Sequence, residues 1–195
     1  MSAIAPVTRR QFLKVSALAG GGMMIALRFG LPDEAAAAGP AVVANAWVTI
    51  NPNGEVVFKC HRNEMGQDVH TSLTMLLAEE LGVDPRRVKV EQADVDPIYI
   101  NKMLGGQITG GSTSVRDAWD PVRQAGASAR MMLVSAAAAQ WNVPAAEIRT
   151  ENGQLTHGQR KASYGSLATA AATQPVPKDT PLKSANQFTV IGKPV

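Results

Sequence analysis

A glycine set between an alternating strand and a leucine-spaced helix constrains this chain more than any other feature. Val56, Phe58 and Cys60 share one face of a β-rich run, while Leu73, Leu76, Leu77 and Leu81 follow Val69 at spacings of three and four. Residues 61–71 join the two, and Gly66 lies just ahead of the helical face, where the lack of a Cβ lets a ligand approach the main chain. The first N–H groups of a helix have no partners within it, and its dipole favours negative charge at that end. The stretch therefore reads as a seat for a phosphate or similar anion. It reads more readily as an ordinary strand-to-helix turn with glycine as punctuation, and the residues alone leave both open.

Other segments follow the same logic. Residues 46–50 and 55–60 flank Asn51, Pro52, Asn53 and Gly54, which makes a hairpin. Cys60 falls on the apolar face of its strand and reads as a small buried residue rather than a nucleophile. Gly82 is placed to cap the first helix, and Asp84-Pro85 prevents its continuation. Glu79 and Glu80 lie at the helix end where negative charge is unfavourable, so solvent is expected around them, with a salt bridge to a partner as the alternative. Residues 87–93 alternate as a strand, and a long loop follows over 94–111.

A second helix carries Val115, Trp119, Val122, Ala125, Ala129, Met132, Leu133 and Ala136 at helical spacing up to Trp141. Pro121 allows a start at Asp120 or a longer, kinked helix from near Ser112; the fit of Val115 and Trp119 to the apolar face favours the longer one. Another hairpin is predicted around Asn152-Gly153, with His157 facing solvent, and Ser163 caps a short helix to Ala172. Residues 188–191 begin something extended. The order β-hairpin–α–β–α–β-hairpin–α predicts an incomplete two-layer α/β (α+β) domain.

The 195 residues suffice for one domain with a real core, with 45% apolar and 18% charged residues. The formal charge is +3, and residues 1–38 account for two of those charges, which leaves no electrostatic argument for nucleic acid. A single cysteine excludes an internal disulfide and an iron–sulfur cluster built by this chain. Thr8-Arg9-Arg10-Gln11-Phe12-Leu13-Lys14, the short apolar run after it and Ala35 to Ala38 read as a twin-arginine signal, too short and glycine-rich for a membrane span. The expected division is a signal segment over 1–38, an α/β domain over 39–172 and a connector over 173–195, in a protein exported to the periplasm.

The second glycine loop, Gly105 to Ser114, matches neither a P-loop nor a dinucleotide fingerprint. It offers N–H groups, the amide of Gln107 and the hydroxyls of Thr109, Ser112, Thr113 and Ser114 ahead of a helix start. A flexible loop whose hydroxyls merely cap that helix is the alternative. Two such loops in one small domain favour a single extended polar ligand between them, such as a pterin dinucleotide. His61 and His70 flank the first loop and are expected as hydrogen-bonded helix-entry residues rather than metal ligands.

Asn63 to Thr71, Gly106 to Ser114 and Trp119 to Arg130 resemble the molybdenum hydroxylases, in particular the isoquinoline 1-oxidoreductase beta-subunit type of the xanthine dehydrogenase/aldehyde oxidase family. The leader and the final segment are similar to that subgroup too, so the resemblance covers nearly the whole chain. It implies a molybdopterin-binding domain of xanthine dehydrogenase type. The cofactor would be held by Met65, Gly66, Gln67, Gln107, Thr109, Gly110, Gly111, Ser112, Thr113 and Ser114, in its cytosine dinucleotide form with molybdenum. Asp68 stands where the Met-Gly-Gln-Gly pattern has its second glycine, adding a Cβ and a charge.

By the same resemblance the reaction oxidises an aldehyde or N-heteroaromatic with water-derived oxygen, and electrons leave through [2Fe–2S] clusters on a separate small subunit, onward to a cytochrome c or the respiratory chain. The family's glutamate base matches nothing here, so no catalytic residue and no metal ligand is assigned. The chain is expected to be part of a longer large subunit and inactive alone. The rival readings are a non-catalytic exported module for assembly or partner binding, a truncated relic, and a periplasmic nucleotide binder that lacks the expected lysine.

Overall fold

The computed structural model describes residues 23–25 and 47–193. The expected twin-arginine signal and alanine cleavage site lie outside those residues. Met23–Ile25 (β1) is an edge strand antiparallel to Val48–Ile50 (β2), which pairs antiparallel with Val56–Cys60 (β3). Val88–Gln92 (β4) then runs parallel to β3, with Phe58 opposite Val90. The sheet order is β1-β2-β3-β4. The β3–β4 crossover carries helix α1, Val69–Leu81, as a parallel pair requires.

The predicted hairpin turn closes with Gly54 N–H on the Asn51 carbonyl at 2.9 Å. Gly82 ends α1 in the left-handed conformation with its N–H on the Ala78 carbonyl, as expected from its position. Helix α2, Ser114–Trp141, runs through Pro121 for 28 residues, about 42 Å. The longer of the two predicted helices is therefore the one that forms. A second sheet holds Arg149–Glu151 (β5), Gln154–His157 (β6) and Arg160–Ser163 (β7) as an antiparallel meander. The expected β5–β6 hairpin turns at Asn152 and Gly153, both with positive φ. Its third strand, β7, carries no β-branched signal. Ser163 caps helix α3, Tyr164–Ala172, through its Oγ on Ser166 N–H.

Phe58, Ile50, Leu73, Leu77, Leu81, Val122, Met132 and Leu133 form the centre of the core, each no more than 2% exposed. Cys60 is buried among them. Helices α1 and α2 meet at Gly126, where a Cβ would fall 2.5 Å from the Leu77 carbonyl oxygen. That close approach is what the small residues of α2 permit.

Two expectations are corrected. Glu79 and Glu80 are fully buried rather than solvated. Glu80 accepts from Arg123 Nη2 at 2.6 Å, and Glu79 accepts from Lys183 Nζ at 2.6 Å. Basic residues of α2 and of the connector reach the end of α1, which its own leucine spacing could not reveal. Residues 188–191 are not extended but turned, with the N–H groups of Thr189, Val190 and Ile191 converging on Glu79.

Candidate functional site

Strand β3 ends at Cys60 and delivers Arg62 into the interior, where it is fully buried. Its Nη1 donates to the carbonyls of His61 and Tyr99, and its Nη2 donates to Asp117 Oδ2 at 2.5 Å. Asp117 lies in the first turn of α2, and its other oxygen accepts from Lys102 N–H at 2.9 Å. A buried guanidinium thus braces the first loop against both ends of the second. His70 Nε2 lies 3.0 Å from the Arg62 carbonyl, which makes it the hydrogen-bonded helix-entry residue expected.

His61 is buried edge-on to Trp47 and stacked with Tyr99. Burial first, then the nearby Arg62 charge, pulls its pKa down to about 3, so the ring is neutral. Trp47 Nε1, His61 Nδ1 and Arg62 Nε are buried there without a hydrogen-bond partner among the described residues. His157, at the end of β6, is paired with Glu147 at 2.8 Å.

The two loops meet directly. Asn63 N–H donates to Thr109 Oγ1 at 2.8 Å, across 46 residues of sequence. The second loop is not structureless: Pro97–Tyr99 forms a turn of 3-10 helix, and Asn101 bridges to Gly106. Gln107 braces this loop, its Nε2 on the Asp94 carbonyl and its Oε1 accepting from Asp96 N–H. Thr113 Oγ1 donates to the Gly110 carbonyl and accepts from Asn101 Nδ2 at 2.7 Å, so its hydroxyl does not cap α2. Gly111 and Ser112 both adopt positive φ, and the N–H groups of Gly110, Gly111 and Ser112 make no hydrogen bond to any described residue. Ser114 opens the helix.

The first loop differs from the reading of an open anion seat. Gly66 has φ +92° and open space where a Cβ would be, and Met65 is 70% exposed. Its N–H groups, however, are already bonded. Glu64 Oε1 accepts from Gly66, Gln67 and Asp68, and its Oε2 accepts from His70. The His70 N–H leads the effects that hold the Glu64 carboxyl down at about 2. Gln67 folds back, Oε1 on Met65 N–H and Nε2 on the Asn63 carbonyl. The sequence alone assigns no role to Arg62, Glu64, Asn101 or Asp117. The signal for Glu64 was a carboxylate two to six residues ahead of unpaired helix-start donors.

The family model described as molybdopterin cofactor-binding domain matches residues 9–194. The chain belongs to that family. Among curated relatives, isoquinoline 1-oxidoreductase subunit beta of Brevundimonas diminuta is 40% identical over 145 residues, covering 72% of this chain and 18% of its own length. The membrane-bound aldehyde dehydrogenase [pyrroloquinoline-quinone] of Gluconacetobacter polyoxogenes is 30% identical over 202 residues, covering 96% of this chain and 25% of its own. This member thus spans a quarter or less of the curated relatives it matches. Quinoline 2-oxidoreductase from Pseudomonas putida 86 is a similar solved structure, 21% identical with a TM-score of 0.48 over 69% of this chain and 17% of that one. No helix among the described residues is long and apolar enough to cross a membrane.

Proposed function

We propose that this chain supplies two loops of the molybdopterin site in a periplasmic molybdenum hydroxylase that oxidises an aldehyde or an N-heteroaromatic. The observation that carries the reading is the Asn63–Thr109 hydrogen bond, which brings both glycine loops to one place. The donor set suits the group: Gly66 leaves a bare Cα beside exposed Met65, and Gly110, Gly111 and Ser112 carry unbonded N–H groups ahead of a helix start. Thr109 and Thr113 hold the second loop in shape, and Gln107 fixes its entry. When bound, the molybdenum cofactor supplies two-electron oxidation with oxygen derived from water. This chain's own residues bind and orient it, and the cytosine dinucleotide form is proposed from the family resemblance.

Electrons leave, on this reading, through a small subunit bearing [2Fe–2S] clusters and then a cytochrome c, with the rest of a large subunit completing the site. Export by the twin-arginine route rests on Arg9, Arg10 and the residues around them. The test is elemental molybdenum and oxidised-pterin fluorescence on this chain purified alone and with its co-expressed neighbours. Pterin in the assembled complex, with no turnover of aldehydes or azaarenes by the chain alone, is the expected result. A complex without pterin would overturn the cofactor reading; turnover by the chain alone would overturn its incompleteness.

A further inference from the structure

The start of α1 is built around an anion, and that anion belongs to the chain. Four main-chain donors at the helix entry end on the Glu64 carboxylate: Gly66 at 2.8 Å, Gln67 at 2.9 Å, Asp68 at 3.0 Å and His70 at 3.0 Å. A further loop donor, Met65 N–H, ends on Gln67 Oε1 at 2.6 Å. Positive φ at Gly66 and Asp68 turns consecutive N–H groups inward onto one concavity, the geometry that binds phosphate in other proteins. Here the concavity is filled. An approaching phosphate also meets a second negative group in Asp68, whose side chain makes no capping bond.

We infer that Glu64 is the positioning residue of the first loop: its carboxylate occupies the main-chain donors, so this loop meets the cofactor through Met65 and the bare Cα of Gly66 and does not hold a cofactor phosphate. The inference rests on the molybdopterin reading for its ligand, but its geometry stands without it. Shape is set before any ligand arrives, because the loop is closed on its own side chains. Glutamine replaces Glu64 only in part, since its one oxygen can serve the three donors on Oε1 while its NH₂ group would face the His70 N–H.

Amide NMR of the full 195-residue chain tests this without cofactor, with inorganic pyrophosphate and acetate as probes. In the unmutated chain, a millimolar pyrophosphate titration is expected to leave the amides of Gly66, Gln67, Asp68 and His70 unshifted. In Glu64→Ala the same four amides should exchange with solvent roughly tenfold faster or more. Added acetate should restore their protection, and Glu64→Gln should lose protection chiefly at the His70 amide. Pyrophosphate shifting those four amides in the unmutated chain would overturn the inference, even if Glu64→Ala does not fold. Unchanged exchange in Glu64→Ala, or no response to acetate, would also overturn it. Neither arm involves pterin, so a complex lacking pterin sinks the proposed function alone.

Discussion

The Glu79 carboxylate meets the main-chain N–H of Val190 at 2.7 Å, joining positions 111 residues apart. The same group accepts from Thr189 and Ile191 N–H and from Lys183 Nζ. Burial would push this carboxyl up, but the bonds from Lys183 and the main chain outweigh it and hold its pKa below the usual value of 4.5. Stability from Glu79 is therefore present above pH 4.5 and is lost as pH falls through the lower folded-state value. Glu79→Ala strands a partly buried ammonium and three N–H groups, with an expected loss of about 3 kcal/mol. Urea unfolding at neutral pH checks it, and proteolysis within residues 183–191 should quicken in the variant.

His61 supplies an acid dependence over a different window. Its folded pKa of about 3 lies below the ordinary 6.5, so the unfolded chain binds the extra proton between those values. Stability is full above pH 6.5 and declines on acidification. His61→Phe keeps a ring against Trp47 and Tyr99 and removes the titration. Between pH 7 and 5 the unmutated chain should lose about 2 kcal/mol more than the variant, by denaturant titration at the two pH values.

Arg62 and Asp117 form a buried ion pair whose members cannot be removed singly without cost. Arg62→Ala leaves Asp117 inside with no guanidinium, for an expected loss of about 3–5 kcal/mol. Arg62→Lys should recover little, because one ammonium cannot serve the Tyr99 carbonyl and Asp117 as a planar fork does. Chemical denaturation of both variants with Asp117→Asn, read as a double-mutant cycle, measures the coupling.

Gly126→Ala pits helix propensity against contact. Alanine gains about 1 kcal/mol in a helix interior, yet its Cβ would sit 2.5 Å from the Leu77 carbonyl oxygen and 3.2 Å from Leu81 N. Both of those contacts are backbone, so the helices must part and overpacking wins, at a net loss of about 1–3 kcal/mol. A fall in melting temperature is the readout.

Asp68→Gly should act in the opposite direction. Asp68 holds φ 58° with no side-chain capping bond, so relief of left-handed strain outweighs glycine's added chain entropy, for a gain of up to about 1 kcal/mol. Thermal unfolding of this variant checks the sign.

The elements around the sheet were legible because their signals are local. Alternation fixed β3, leucine spacing fixed α1, and Asn-Gly pairs fixed both hairpins. Gly82 and Ser163 ended and began helices where their chemistry required. What the sequence concealed was every partner at long range. Nothing near Glu79 announces Lys183 or the N–H groups of residues 189–191, and nothing in residues 160–163 marks a strand until β6 lies beside it. At the site, the positions of both loops were legible from glycine and helix starts. Their hydrogen-bond state was not, because a free donor and one already claimed by Glu64 share the same sequence.

Arg62 touches the carbonyl of Tyr99 and the carboxylate of Asp117, and its neighbour Asn63 is bonded to Thr109. The two glycine loops are therefore joined to each other by hydrogen bonds within the protein. A ligand spanning both meets a single stiff template, and ordering one half of its surroundings orders the other at no second loss of freedom.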